Sequence, residues 1–375
     1  MIMKIEPFLT EQFFAEYEFS AEFLLASSDC ETISIAQLLQ MSGSTLEELG
    51  DVTLGYTESQ GDPQLRSQIA KKYPNVSSDE VVVLNSPVEG IYLSMQTILE
   101  PGNEVIALRP AYDALNNMPR HLCGTIVPWN LVPRSGCWEL DFETLESLIG
   151  QQTRMIVVNF PHNPTGYVPS NSDFERLVRL SRKHNLWLFC DEIYRGLEFG
   201  PTIPSAAAVY EKAIVLNGLS KTFGLPGLRS GWLVIRDKEL RAEIINWKHY
   251  TSICAPAPTE FLARKALLIG DRLAARSKAI IQQNLKLCEA YFKTVQDQFI
   301  WRRPQAGSVA FVELDLAQIG FDSATLFCHH LAQNFGIVLL PGRCLGFEDN
   351  FVRFGLGRSK FGDALQAFAN IIKTF

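Results

Sequence analysis

Asn217-Gly-Leu-Ser-Lys-Thr-Phe-Gly-Leu-Pro-Gly-Leu-Arg-Ser-Gly231 is the stretch on which the reading of this chain turns. It joins two short apolar runs, 213–216 and 231–235, so Lys221 and Arg229 stand in a glycine-rich connection at a strand end. Upstream, the apolar run 186–190 delivers Asp191, and then Tyr194, at its own carboxyl end. Open α/β sheets bind ligands at the carboxyl ends of their strands. An amine, a carboxylate and a guanidinium gathered there are what pyridoxal phosphate needs. The amine forms an imine, the carboxylate keeps the pyridine nitrogen protonated, and the guanidinium meets the phosphate.

Outward from this stretch, short β-rich runs alternate with amphipathic segments from about residue 80 to 235, the pattern of a largely parallel sheet covered on both faces. Strands are predicted at 81–84, 104–108, 125–129, 154–160, 186–190, 213–216 and 231–235, with helices at 88–99, 142–149 and 173–185. After Pro256-Ala-Pro258 a helical pattern runs over 259–296, long enough to bridge two domains. Strands then return at 308–316, 336–340 and 351–355, with helices at 323–334 and 360–374. The expectation is an α/β protein: a large domain, 45–265, with a mostly parallel seven-stranded sheet, and a smaller α/β domain from 266–375 together with 1–44, where 33–41 reads as a helix.

Lys and Arg total 34 against 41 Asp and Glu, a net charge of −7, which argues against nucleic acid or an anionic membrane as partner. The longest apolar runs fall far short of the ~20 residues a membrane span requires. The N-terminus carries no charged segment followed by an apolar stretch, so a cytoplasmic location is expected. The eight cysteines include no Cys-x-x-Cys pair, which predicts reduced thiols. His329 and His330 would point about 100° apart on a helix and make poor joint ligands, so no metal site is expected.

Four further positions invite a chemical reading beside a plain one. Asn163, in Pro161-His-Asn-Pro-Thr-Gly166, follows the 154–160 run; Asn-Pro-Thr-Gly is a good turn in itself, while an amide there can donate to the cofactor's phenolic oxygen, with Tyr194 as a second donor. Ser86-Pro-Val-Glu-Gly90 reads as a helix start, with Ser86 as N-cap, Pro87 first in the helix and Glu89 closing a capping box; a free helix N-terminus also holds phosphate. Tyr112 could stack on the pyridine ring or sit in the core. Arg353 alternates with apolar neighbours on a short strand and needs an anion, either a structural carboxylate or the α-carboxylate of a substrate.

Taken together, these segments resemble the class I/II aminotransferases of the fold type I pyridoxal-phosphate-dependent enzymes, in that family's order, from Tyr56 to Arg353. The resemblance implies that Lys221 is the internal-aldimine lysine and Asp191 the pyridinium partner. It makes Asn163 and Tyr194 the pair on the phenolic oxygen and Tyr112 the stacking aromatic. Ser86, Pro87, Val88, Ser220 and Arg229 become the phosphate cup, and Arg353, with Asn163, binds the substrate. Leu54-Gly-Tyr56 followed by Gly61-Asp-Pro-Gln-Leu-Arg66 resembles the segment whose tyrosine reaches the neighbouring subunit's phosphate, which implies a homodimer with shared sites. Ser230 stands in place of a usual aliphatic, Ala306-Gly307 where paired glycines are common, and Pro87-Val88 in the phosphate loop. The implied activity is ping-pong transfer of an amino group between an L-amino acid and a 2-oxo acid. A carbon–sulfur β-lyase or a cyclase of the same fold is the alternative, to which Pro161-His-Asn-Pro164 gives a hint. A non-catalytic regulator would carry a basic DNA-binding module ahead of the core, and none is read here. In the N-terminal segment the stretch Leu25-Ala-Ser-Ser-Asp-Cys-Glu31 is expected near the site entrance, and the aromatics Phe14, Tyr17, Phe19 and Phe23 are as compatible with core as with substrate lining.

Overall fold

The computed structural model describes residues 5–375; residues 1–4, part of the N-terminus read above for a leader, lie outside the described residues. The first strand, β1 (Phe23–Leu24), stands apart from the main sheet. That sheet comprises β2 (Val81–Leu84), β3 (Glu104–Arg109), β4 (Thr125–Pro133), β5 (Trp138–Leu140), β6 (Thr153–Asn159), β7 (Trp187–Asp191), β8 (Ala213–Gly218) and β9 (Gly231–Ile235). Its order is β2-β9-β8-β7-β6-β3-β4-β5. β4, β3, β6, β7 and β8 run parallel, while β9 is antiparallel to both its neighbours. The sheet thus has one strand more than the sequence suggested. β5 is a three-residue strand folded back antiparallel on β4, too short to leave a periodic signature.

Burial on both faces explains the apolar runs. Val81, Val83, Ile156, Val158, Val215 and Trp232 pack into one cluster and Val82, Leu84, Met155, Val157, Leu216 and Leu233 into another, so successive residues alternate between the two sides of the sheet. Each side is covered by helices. The helix Pro87–Ile98 lies on the second side, with Gly90 against Leu84, Leu216 and Leu233, where a Cβ has no room.

The C-terminal part builds a smaller antiparallel sheet from β10 (Phe299–Ile300), β11 (Val309–Leu314), β13 (Leu340–Pro341) and β14 (Phe351–Gly355), in the order β10-β11-β14-β13. β12 (Ile337–Val338) instead pairs in parallel with β1, tying the N-terminal segment to this part of the chain. The helical pattern over 259–296 resolves into two helices, Ala257–Leu268 and Gly270–Phe292. Ahead of β1 lies a helix that the sequence reading did not place, α1 (Leu9–Tyr17).

Candidate active site

The carboxyl ends of β6, β7 and β8 lie side by side, and the chain leaves each of them with a polar group. Asn159 closes β6 and pairs with Asp191, which closes β7; Asn163 follows Asn159, and Ser220 and Lys221 follow β8. They face a cavity of about 380 Å³, lined also by Pro87, Val88, Tyr112, Tyr194, Arg229 and Arg353. The structure therefore brings most of the sequence-derived candidates to one place. Ser86 does not line the cavity; its Oγ accepts the Glu89 N–H (3.3 Å) as the N-cap of Pro87–Ile98. The reciprocal bond differs from a capping box, because Glu89 Oε2 takes the N–H of Asn85 (2.8 Å). Tyr56 is 90% exposed and also outside the cavity.

Lys221 is half-buried and its Nζ donates to Ser28 Oγ (2.8 Å). Burial lowers its pKa, with Asp29 opposing and Arg353 reinforcing the shift, which favours the neutral, nucleophilic amine. Burial pushes the Asp191 carboxyl up to about 7, against the pull of the Ile193 N–H, which donates to Oδ1 (3.0 Å). Such a carboxylate is under-solvated and gains from an adjacent cation. Burial also raises the Tyr194 hydroxyl above its ordinary value, so it remains a donor at neutral pH. Arg229 holds φ 48 and ψ 53, a left-handed conformation rare outside glycine, which turns its side chain into the cavity lining.

Arg353 is 1% exposed. Its Nε and Nη2 donate to the Ala26 carbonyl (3.2 and 3.0 Å) and its Nη1 to Asn163 Oδ1 (3.2 Å). None of these partners is a carboxylate. Of five guanidinium N–H groups, one on each terminal nitrogen is left over, the spacing that a carboxylate accepts in two parallel bonds. Asn163 Oδ1 is occupied by Arg353, and its backbone N–H by Asn159 Oδ1 (2.7 Å), so its side-chain amide presents N–H donors to the cavity.

Among the lining residues, Thr10, Glu11, Ile91, Asn159, Ile193, Leu216 and Pro226 escaped the sequence reading, while Ser28 lies in the 25–31 stretch expected at the site entrance and Phe14 among the aromatics left open between core and lining. Three of these lie on α1. Phe14, Tyr17, Phe19 and Phe23 offered the only signal there, equally compatible with core and with substrate lining. The outcome is divided: Phe14 lines the cavity, Tyr17 is buried in the core, Phe19 is exposed and Phe23 lies in β1. Thr10 anchors the helix, giving its Oγ1 hydrogen to Asp113 Oδ2 (2.6 Å), while the Leu9 N–H donates to Asp113 Oδ1 (2.9 Å).

The donor set suits pyridoxal phosphate. A desolvated amine just past β8 and a buried carboxylate at the end of the neighbouring strand β7 line one cavity; Asn163 and Tyr194 offer neutral donors, and Ser220 and Arg229 a hydroxyl and a cation of the kind a phosphate needs. Comparison with known proteins agrees. A family model described as "Aminotransferase class I and II" matches residues 23–360. Capreomycidine synthase of Streptomyces vinaceus is 25% identical over 97% of this chain and 93% of its own length. An aspartate aminotransferase of Thermotoga maritima is 27% identical over 81% and 79% of the two chains. The crystal structure of a PLP-dependent aminotransferase from Streptococcus suis 89-1591 superimposes with a TM-score of 0.92 at 27% identity, covering 100% of this chain and 99% of that one.

Proposed function

Because the chain belongs to the class I and II aminotransferases and so uses pyridoxal phosphate, we propose that the cavity at the ends of β6, β7 and β8 is its active site, with Lys221 holding the cofactor. The observation that carries this reading is that Asp191, at the end of β7, and Lys221, three residues past the end of the neighbouring parallel strand β8, face one cavity with Arg353. Bound there, pyridoxal phosphate supplies an electron sink for the pair left when the substrate's Cα–H bond breaks. Everything else falls to the protein. Asp191 favours a protonated ring nitrogen by its charge. Asn163 and Tyr194 donate to the phenolic oxygen, Tyr112 packs on the ring, and Ser220, Arg229 and the backbone N–H of Val88 hold the phosphate; Pro87 has no N–H to give but starts the helix whose N-terminus faces it, and Ser86 acts through the helix it caps. Arg353 orients the substrate by its α-carboxylate, and Lys221 Nζ carries the proton taken from Cα.

Water then supplies the oxygen as the bond between Cα and nitrogen of an L-amino acid breaks, so the 2-oxo acid leaves and the amino group stays behind; a second 2-oxo acid enters to accept it and releases a water in turn. We place two such sites in a homodimer. Tyr56 is 90% exposed, and a bond from Thr57 Oγ1 to the Ala255 carbonyl (2.8 Å) ties its segment to the loop that also carries exposed Tyr250 and Ile253. Thr251 Oγ1 in turn donates to Glu89 (2.9 Å), next to exposed Val88 of the cavity lining. Exposed apolar residues on segments tied to the site are what a second copy would cover. All eight cysteines carry free thiols, which supports a cytoplasmic location.

Capreomycidine synthase, similar over nearly the whole chain, keeps a second reading in view, a lyase or cyclase acting at Cβ. Single-turnover product analysis without an acceptor separates the two. One equivalent of 2-oxo acid per site and no ammonia is expected; repeated ammonia release would establish the lyase, and a cyclic amino acid formed with neither 2-oxo acid nor ammonia would establish the cyclase.

A further inference from the structure

Five charged side chains line the cavity: Glu11, Asp191, Lys221, Arg229 and Arg353. In the reading above, four of them have counterparts in the cofactor or in the amino and carboxylate groups common to all amino acids. Glu11 has none. It lies on α1 with Phe14 one turn on, so the two share a helix face. The Phe14 ring stands 5.8 Å from Arg353 Cζ, which sets that face beside the carboxylate-binding end of the cavity. Glu11 is held in place as well. Tyr112 Oη donates to Glu11 Oε1 (2.9 Å), and Thr10 fastens the helix to Asp113.

We propose that Glu11 makes this site selective for amino-acid donors whose side chain ends in a cation, a guanidinium or an ammonium; this rests on the aminotransferase reading of the cavity. A carboxylate one helical turn from Phe14, both lining the cavity, offers a cation a charge-assisted hydrogen bond with an aromatic ring nearby. The same carboxylate repels an acidic side chain, and no lining lysine or arginine among the described residues remains for a second carboxylate. Apolar side chains of equal length would find the aromatic contact alone.

The test uses two readouts with the same ligands, L-arginine, L-lysine, L-norleucine and L-glutamate. In the first, single-turnover consumption of each amino acid by the cofactor-loaded enzyme gives its specificity constant. Arginine or lysine should exceed norleucine by roughly tenfold or more, with glutamate poorest, and Glu11→Gln should remove most of that ratio. In the second, titration calorimetry measures binding of the same ligands to cofactor-loaded Lys221→Ala protein, with and without Glu11→Gln, and the same ordering is expected in the dissociation constants. A ratio unmoved by Glu11→Gln, or a wild-type preference for glutamate, overturns the selectivity. Cation-selective, Glu11-dependent binding without any 2-oxo acid formation would instead retain the selectivity and overturn the aminotransferase reading.

Discussion

Asp191 and Arg353 are both buried without a salt bridge among the described residues, and each carries a consequence that can be measured. With its pKa raised from 3.8 to about 7, Asp191 binds a proton in the folded state that the unfolded chain has released. Stability of the cofactor-free protein should therefore fall as pH rises from about 4 to about 7. Denaturant titrations of that form at pH 5 and pH 8 should show the fall in the parent and a flatter profile in Asp191→Asn. The same variant, loaded with cofactor, should keep its circular dichroism and lose activity by roughly a hundredfold or more, since a neutral amide cannot hold the pyridinium proton. Arg353→Lys keeps a charge but forfeits the planar fork that serves Ala26, Asn163 and a carboxylate together. Steady-state kinetics should show KM for amino and oxo acids raised about tenfold and kcat lowered as well, because orientation suffers with binding.

Among the elements, the junction of β9 with the helix Pro87–Ile98 bears most directly on the site. Gly231 lies so close to the helix start that a Cβ would stand 2.9 Å from Pro87 N and 3.0 Å from its Cδ. Gly231→Ala should displace the turn that carries Pro87 and Val88. Cofactor titration should show affinity weakened by about tenfold, with a Tm lower by several degrees. The strands of the main sheet were legible because burial on both faces demands continuous apolar runs, and β2 and β9 begin and end where those runs do. α1 was not, since its sequence, Leu-Thr-Glu-Gln-Phe-Phe-Ala-Glu-Tyr, has aromatic residues on more than one face and makes sense only between the site and the C-terminal part. The interruption of the 259–296 pattern had no local cue beyond one glycine; at Gly270 a Cβ would lie 3.1 Å from Phe223, a contact between distant segments.

At the scale of the molecule, a partner reaching the cavity through Tyr56 requires that complementary defects be separable. Mixing Tyr56→Ala with Lys221→Ala protein should restore part of the activity through hybrid dimers with one intact site, measured after proven subunit exchange. Failure to recover under those conditions would place Tyr56 outside the site. Lys221, Asp191, Asn163 and Arg229 could be picked out beforehand because each follows an apolar run or occupies a glycine-rich turn, and strand ends are where α/β sheets present ligand-binding groups. The sequence by itself thus determined the α/β class, the cofactor and the groups on the strand ends, all of which depend on local periodicity and residue chemistry. Only the tertiary structure decided that Glu11, Phe14 and Ser28 join them, that Arg353 meets Ala26 and Asn163 rather than a carboxylate, and that β1 pairs with β12. Those contacts join segments hundreds of residues apart, and no local pattern encodes which distant surfaces will be buried against each other.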